Sequence, residues 1–396
     1  MRPEPEATPS SGAPAGLATP PEPEGLTPAW LTQALRCGGV LRRASVVALE
    51  AGPLGPGQGL TGRLARLRVR YDVEEPGAPG SLIAKFPAGP GPIRELGRMF
   101  RLYQREARFY QELAPRAGLP TPRLYWAAET SDGLPVLLLQ DLTEASPGDL
   151  LAGCNLARAE HLLGWLARMH AAWWASPELE RLPWLPAPND ALVVQFIGSR
   201  GPDAWDTFLR RFRRHLPPPL MTLGKRMQRN PTVLDRLAAP PLTLVHGDFR
   251  LNNLLFAASD GPLLAVLDWQ TSVRGRGPMD VACLFASSLS PADRREAERE
   301  LLPRYHRALL ENGVRGYSFQ QCWEDYRLAV INLFSQIVFL NAVLDMPSLL
   351  RDEVEPVTGQ RLLSALLELD PLELLPSPSP WRRWASALGW LLGRPA

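Results

Sequence analysis

Residues 243–270 contain three side chains of the types that move a phosphoryl group onto a hydroxyl. A short apolar run, Leu242, Leu244 and Val245, leads into His246, Gly247 and Asp248. Asn253 follows five positions after that Asp, and a second apolar run, Leu263 to Leu267, ends on Asp268 and Trp269. The spacing predicts a loop between β-strands that gathers a carboxylate, an amide and a second carboxylate into one cleft. Phosphoryl transfer to an alcohol uses those groups. One Asp takes or orients the acceptor proton, while an Asn and another Asp hold the magnesium ions that bridge the phosphates of ATP. Magnesium is a hard cation and prefers such oxygen ligands.

The run resembles the catalytic loop and metal-binding Asp of the protein-kinase-like fold, His-x-Asp-x-x-x-x-Asn followed by an Asp. Trp269 and Gln270 stand where protein kinases carry Phe and Gly, and no Ala-Pro-Glu follows. In this it is similar to the small-molecule branch: aminoglycoside phosphotransferases, choline kinase and ecdysteroid-kinase-like proteins. The segment from Val266 to Phe285, with Asp-Trp-Gln, then Gly, then Asp280-Val-Ala, is most similar to the ecdysteroid-kinase-like group. The resemblance covers roughly residues 27 to 345. It implies an α+β bilobal protein-kinase-like fold, with a small antiparallel-sheet N-lobe over residues 26–141 and a mainly helical C-lobe over 142–375. By the same resemblance Asp248 is the catalytic carboxylate, Asn253 and Asp268 are the metal ligands, and His246 organises the loop.

The elements that must position these groups are visible upstream. From Leu54 to Arg70 a glycine-rich turn is followed by period-two alternation, Leu64, Leu67 and Val69 against Arg66, Arg68 and Arg70. Glycines at a hairpin tip let backbone amides approach phosphate closely, which makes Gly57, Gly59, Thr61 and Gly62 the nucleotide-covering candidates. Lys85 sits in the short apolar strand 81–86 and is one of only two lysines, with Lys225, among 43 basic residues. A lysine in such a strand is costly unless paired. In the resembling pattern its partners are the ATP phosphates and a helix Glu. A helix is predicted over 94–113, and its Glu106 run, Glu-x-x-Phe-Tyr-x-x-Leu, matches the family better than the competing Glu95 and Glu112. Two further strands, 120–129 and 136–140, lead to a hinge at Gln140-Asp141-Leu142. In related families the hinge backbone holds adenine, so Gln140 and Leu142 are assigned to cofactor binding. Asp141 is equally a turn residue.

From Ala157 onward the pattern is helical. His170 at a helix end is assigned to packing. Residues 175–240, with Trp184, Trp205, Phe208 and Phe212, are placed before the catalytic loop to cap the acceptor site. The run Arg210, Arg211, Arg213, Arg214 could meet an anionic substrate, but a solvated helix face is the favoured reading. Asp280, near the start of an apolar helix, is read as structural. Helices over 291–311, 320–344 and 359–369 complete the C-lobe.

Composition sets the outer limits. The 396 residues suggest two lobes or domains, with 45% hydrophobic and 21% charged residues in the ordinary globular range. A net charge of +2 gives no reason to expect a nucleic-acid partner. Cys37, Cys154, Cys283 and Cys322 are too dispersed for a zinc site or disulfide framework. No export signal or membrane span is evident, so a cytoplasmic location is expected. Residues 1–25 read as a disordered tail, and 376–396 as a Ser-Pro linker and a terminal amphipathic helix. The Trp and Arg residues of 381–394 are compatible with membrane-surface association, although docking on the C-lobe is favoured. Together the features describe an ATP- and magnesium-dependent kinase for a hydroxyl on a small, largely apolar molecule. The low carboxylate content of the insert weighs against a polycationic acceptor. The competing reading is a catalytically inactive homologue that binds nucleotide or a partner.

Overall fold

A computed structural model describes residues 17–54, 62–228, 230–257, 261–344 and 354–375. The N-lobe is a five-stranded antiparallel sheet of β1 (Val46–Pro53), β2 (Gly62–Tyr71), β3 (Ser81–Pro87), β4 (Leu124–Glu129) and β5 (Pro135–Gln140), ordered β1-β2-β3-β5-β4. Alternation decides its faces. Ala65, Leu67 and Val69 of β2 are buried while Arg68 and Arg70 are exposed, and the apolar face packs on helix α1 (Pro28–Cys37). Thr27 caps α1 by accepting from the Trp30 amide at 3.1 Å, with Pro28 at the first helical position.

Order extends further toward the N-terminus than composition predicts. Within the expected tail, Leu17 packs against the sheet core, Thr19 is buried, and Trp30 Nε1 donates to the Ala18 carbonyl at 2.9 Å. An indole that buries its ring and needs one acceptor can pin a segment too polar to fold by itself.

The predicted single helix over 94–113 is instead two helices and a wide turn: α2 (Pro92–Met99), α3 (Leu102–Arg108), then a π-helical turn over Phe109–Leu113. The break falls at Arg101, which adopts the left-handed region at φ 54°. Periodicity continues across such a break because each piece keeps its own buried face, so the pattern alone did not reveal it.

The C-lobe contains β6 (Ser146–Pro147), β7 (Thr243–Val245), β8 (Leu254–Phe256), β9 (Leu263–Val266) and β10 (Val273–Gly275). Its helices are α4 (Leu156–Ala172), α5 (Pro177–Glu180), α6 (Ala191–Phe212), α7 (Pro218–Met227), α8 (Thr232–Leu237), α9 (Pro278–Ser288), α10 (Pro291–Glu311), α11 (Phe319–Val343) and α12 (Val354–Glu368). α4 packs on α10 and α9 on α11, and Ser318 and Gln321 form a capping box that starts α11. Two small ribbons lie among these helices, β8–β9 with β6 on its edge, and β7–β10. The β8–β9 ribbon pairs Leu254 with Val266, and β7–β10 pairs Val245 with Val273. Their open ends hold the two predicted catalytic segments side by side. Residues 376–396, expected to form the linker and terminal helix, lie outside the described residues.

Candidate active site

The loop after β7 is fixed from below. Asp280, fully buried in the first turn of α9, accepts from the His246 amide through Oδ2 and from the Gly247 amide through Oδ1, both at 2.8 Å. His170 Nε2 lies 3.2 Å from the same Oδ2, and its Nδ1 lies 2.8 Å from the Tyr305 hydroxyl. His170 thus braces the loop through Asp280 and stays out of the cleft. The His246 ring accepts from the Asp248 amide at Nδ1 (3.1 Å) and donates from Nε2 to the Leu267 carbonyl (2.8 Å). One imidazole therefore joins the two catalytic segments, as expected of a loop organiser. Gly247 is at φ 84°, and a Cβ there would sit 2.4 Å from the Thr271 carbonyl, so the central glycine is required.

On this support Asn253 donates from Nδ2 to the Asp248 carboxylate (Oδ2) and to the Asp248 carbonyl, each at 2.9 Å. Its amide nitrogen is therefore committed and its oxygen remains an acceptor. Asp268 is left-handed at φ 65°, ψ 58°, an unusual conformation for a residue with a Cβ and one that clusters at functional sites. Gln270 Nε2 donates to its Oδ2 at 3.2 Å. Behind it Trp269 stacks on Phe109 of the π-helical turn, with centroids 3.8 Å apart and planes at 7°.

Lys85 connects the lobes. Its Nζ lies 2.7 Å from Glu106 Oε2 and 2.8 Å from Asp268 Oδ1, with side-chain exposures of 15%, 3% and 21% for the three residues. Burial works against the Lys85 charge, but attraction to Asp268 and Glu106 outweighs it and holds the ammonium above its ordinary range. Burial pushes the Glu106 carboxyl up, with Lys85 opposing. For Asp268 the order reverses: burial raises it, but Lys85 prevails and the carboxylate is held below its usual range.

A model of the phosphotransferase enzyme family matches residues 68–323. The chain belongs to that family. Two curated relatives align over part of this chain. Acyl-CoA dehydrogenase family member 10 of Mus musculus is 31% identical over 185 residues, covering 45% of the chain and 16% of that protein. Probable acyl-CoA dehydrogenase IBR3 of Arabidopsis thaliana is 31% identical over 108 residues, covering 24% and 13%. The chain thus spans only about one sixth or less of the length of either relative. Among solved structures, the GDP and kanamycin complex of APH(2")-IIia superposes with a TM-score of 0.50 at 14% identity, covering 82% of this chain and 94% of that one. The bilobal kinase-like fold is therefore shared.

The structure joins Lys85, Glu106 and Asp268 through ion pairs and Asp248 and Asn253 through a hydrogen bond, with His246 linking the two segments. Of the rival glutamates, Glu112 turns to Arg108 and to Trp184 Nε1, and Glu95 borders a groove on the far side of α2. Gly62 opens β2 so close to β3 that an added Cβ would meet the Phe86 carbonyl at 3.0 Å and Lys85 Cε at 3.4 Å. Gly57, Gly59 and Thr61 lie outside the described residues. Gln140 ends β5 with its side chain turned to the Arg123 amide (3.2 Å), and the Leu142 carbonyl accepts from Ala145 in the hinge turn (2.9 Å). Asp141 is more than a turn residue, because its Oδ2 pairs with Arg66 Nε at 2.8 Å.

Asn253 and Asp268 together offer an amide oxygen and a carboxylate. Magnesium is commonly held by one or two such protein oxygens with phosphates and water completing the shell, so the residues fit that ion. Among the described residues no cluster of three or more His, Cys, Asp or Glu forms a preformed metal cage.

The acceptor side differs from expectation in one respect. Trp205 and Phe208 pack in the core against Phe334 of α11, where Trp205 and Phe334 border a small cavity with Gly224 and Met227. The Arg210–Arg214 run is exposed at the C-terminal end of α6, where positive charge complements the helix dipole. An open groove of about 490 Å³ lies between the lobes, bordered by Pro92, Glu95, Leu96 and Met99 of α2 and by Phe196, Arg200 and Asp203 of α6, so its lining mixes apolar and charged side chains. Sequence reasoning overlooked Arg250, whose Nε lies 3.0 Å from Asp248 Oδ1. The available signal was its position two residues after Asp248.

Proposed function

We propose that the chain is a small-molecule kinase that transfers the γ-phosphoryl group of ATP to a hydroxyl in a magnesium-dependent reaction. The observation that carries this reading is the bridge made by Lys85 to Glu106 and Asp268, residues of both lobes, the second 183 positions away in sequence. A buried lysine shared by two carboxylates beside an Asp–Asn pair is an economical scaffold for phosphates and the hard cation they bring. Asp248 then faces the acceptor proton, with Asn253 holding its carboxylate in one rotamer. Bound magnesium would supply charge neutralisation between Asn253, Asp268 and the phosphates.

The few carboxylates of residues 190–240, Asp190, Asp203, Asp206 and Asp235, support an acceptor with a substantial apolar part. The names of the two curated relatives add hydroxyacyl thioesters to the alcohols worth testing. The decisive experiment is thermal denaturation with ATP, with and without magnesium, beside an Asp268→Ala variant. A stabilisation that needs magnesium and disappears in the variant supports the kinase reading. Absence of any nucleotide effect, or an effect indifferent to magnesium and to Asp268, rejects it. An acceptor screen over apolar alcohols, hydroxyacyl thioesters and antibiotics, read as ADP release, then identifies the substrate class.

A further inference from the structure

Arg105 stands on α3 one position before Glu106, the partner of Lys85, and α3 packs on the turn Trp269–Thr271 that follows Asp268. A guanidinium carries five N–H donors, and this one engages few of them. Its Nη2 donates to the Phe100 carbonyl at 2.9 Å. Its Nε is shut off from solvent without a hydrogen-bond partner, and among the described residues no carboxylate reaches ion-pair distance. Burial accordingly holds the guanidinium down to about 10, and Asp190, acting from beyond ion-pair distance, opposes it only in part. A buried arginine with a purely structural role looks different. Arg361 bonds the carbonyls of Leu150, Leu151 and Ser287.

Asp190 belongs to the other lobe, where it caps the 22-residue helix α6 by accepting from the Leu192 amide at 3.0 Å. The neighbouring first-turn amides of that helix have no intrahelical partner, and the aligned peptide dipoles make this end of α6 positive. Phe100, whose carbonyl holds Arg105, packs edge-on against Phe196 of the same helix, with centroids 5.2 Å apart and planes at 84°. Arg105 and the start of α6 therefore meet across the lobes, one residue from Glu106. A buried cation left without an anion is unfavourable, and such an unpaired group calls for an explanation. An anionic ligand supplies one.

We propose that Arg105 and the first turn of α6 form an anion site, which takes a carboxylate or phosphate carried by the hydroxyl-bearing acceptor. Its assignment to the acceptor rests on the kinase reading above. Carboxylate and phosphate share the paired oxygens that a guanidinium fork grips two at a time. An acceptor held there by its charged end leaves its hydroxyl end for Asp248.

The first measurement is thermal denaturation of the full chain with magnesium-ADP bound. Chloride is replaced by inorganic phosphate or by acetate at constant ionic strength. The proteins are the parent, Arg105→Gln, and Arg108→Gln as a charge control on the exposed side of α3. The parent and Arg108→Gln are expected to gain stability with the anions. Arg105→Gln is expected to lose most of that gain while being no less stable than the parent in chloride, because it removes an unpaired buried charge. An equal gain in all three proteins, or none in any, overturns the site. So does an Arg105→Gln protein that is weaker in chloride and keeps the gain, the signature of a packing role. ADP release with matched hydroxy acids, their methyl esters and hydroxyalkyl phosphates then identifies the charged group. The better charged member should have a KM at least about tenfold below the ester, the scale of a charge-assisted hydrogen bond. Arg105→Gln should erase that difference with kcat within about twofold of the parent. Esters accepted as well as both charged forms overturn the assignment to the acceptor. A parent that binds no magnesium-ADP overturns the kinase reading alone, because the anion comparison is then repeated without nucleotide.

Discussion

At the residue scale, the Asp248–Asn253 pair separates binding from turnover. Asn253 holds Asp248 Oδ2 at 2.9 Å, so removing the charge of Asp248 need not disturb the loop. Asp248→Asn is expected to keep nucleotide affinity within about twofold and to lower ADP release with an accepted alcohol by about 10²- to 10⁴-fold, the usual worth of a positioned general base. Equal loss of affinity and rate would mean that Asp248 serves binding and not proton transfer. Asp248, Asn253 and Asp268 were legible in the sequence because loop chemistry needs those types at that spacing. Lys85 was legible because it is one of two lysines. Arg250 and Gln270 were not. In a chain whose 43 basic residues are nearly all Arg, one more Arg carries no compositional signal. Its significance depends on a 3.0 Å approach that only the folded loop creates.

At the element scale, the catalytic loop is held by a helix it does not belong to. Both oxygens of Asp280 receive backbone amides of the loop at 2.8 Å, in a site without solvent. Asp280→Asn puts an amide NH₂ against one of those donors and strands it. The expected cost is about 1–3 kcal/mol, the desolvation of one unpaired buried group, read as a lower urea midpoint. Turnover should fall with it, because His246 and Asp248 lose their register. A variant of parental stability and unaltered turnover would remove Asp280 from this role. The ring stack behind Asp268 is tested similarly. Trp269→Ala opens a cavity against Phe109 and should cost about 3–5 kcal/mol. Apolar alternation and helical periodicity forecast the elements that frame this site to within a few residues. The break at Arg101 and the π-helical turn at Phe109 escaped notice. Such irregularities keep the buried face in phase, and tertiary contacts such as the Phe109–Trp269 stack select them.

At the scale of the whole molecule, the lobes are coupled through one ammonium. Lys85 shields two carboxylates from each other, Glu106 from the N-lobe and Asp268 from the C-lobe, both largely buried. Replacing it with an apolar side chain leaves two like charges facing each other, so Lys85→Met should destabilise the nucleotide-free protein by about 3–5 kcal/mol, as expected when one member of a buried pair is removed. The sign of the pH effect follows from Glu106. Burial already raises its carboxyl above the ordinary 4.5, and without Lys85 nothing comparable opposes that shift. The folded variant therefore binds a proton that the unfolded chain releases. Stability is retained below the unfolded value and lost as pH rises through the raised one. The Lys85→Met penalty should accordingly be small near about pH 5 and large near about pH 8, a steeper trend than in the parent, where Lys85 opposes the rise of the Glu106 carboxyl. Adding Glu106→Gln to Lys85→Met removes the ionisable partner. The double variant should recover most of the lost stability at the higher pH and flatten the dependence, with turnover still absent because no ammonium remains to meet phosphate. Urea unfolding of the three proteins at both pH values tests the argument. If the double variant is as unstable as the single one at high pH, carboxylate repulsion is not what Lys85 relieves, and its place between the lobes owes more to packing than to charge.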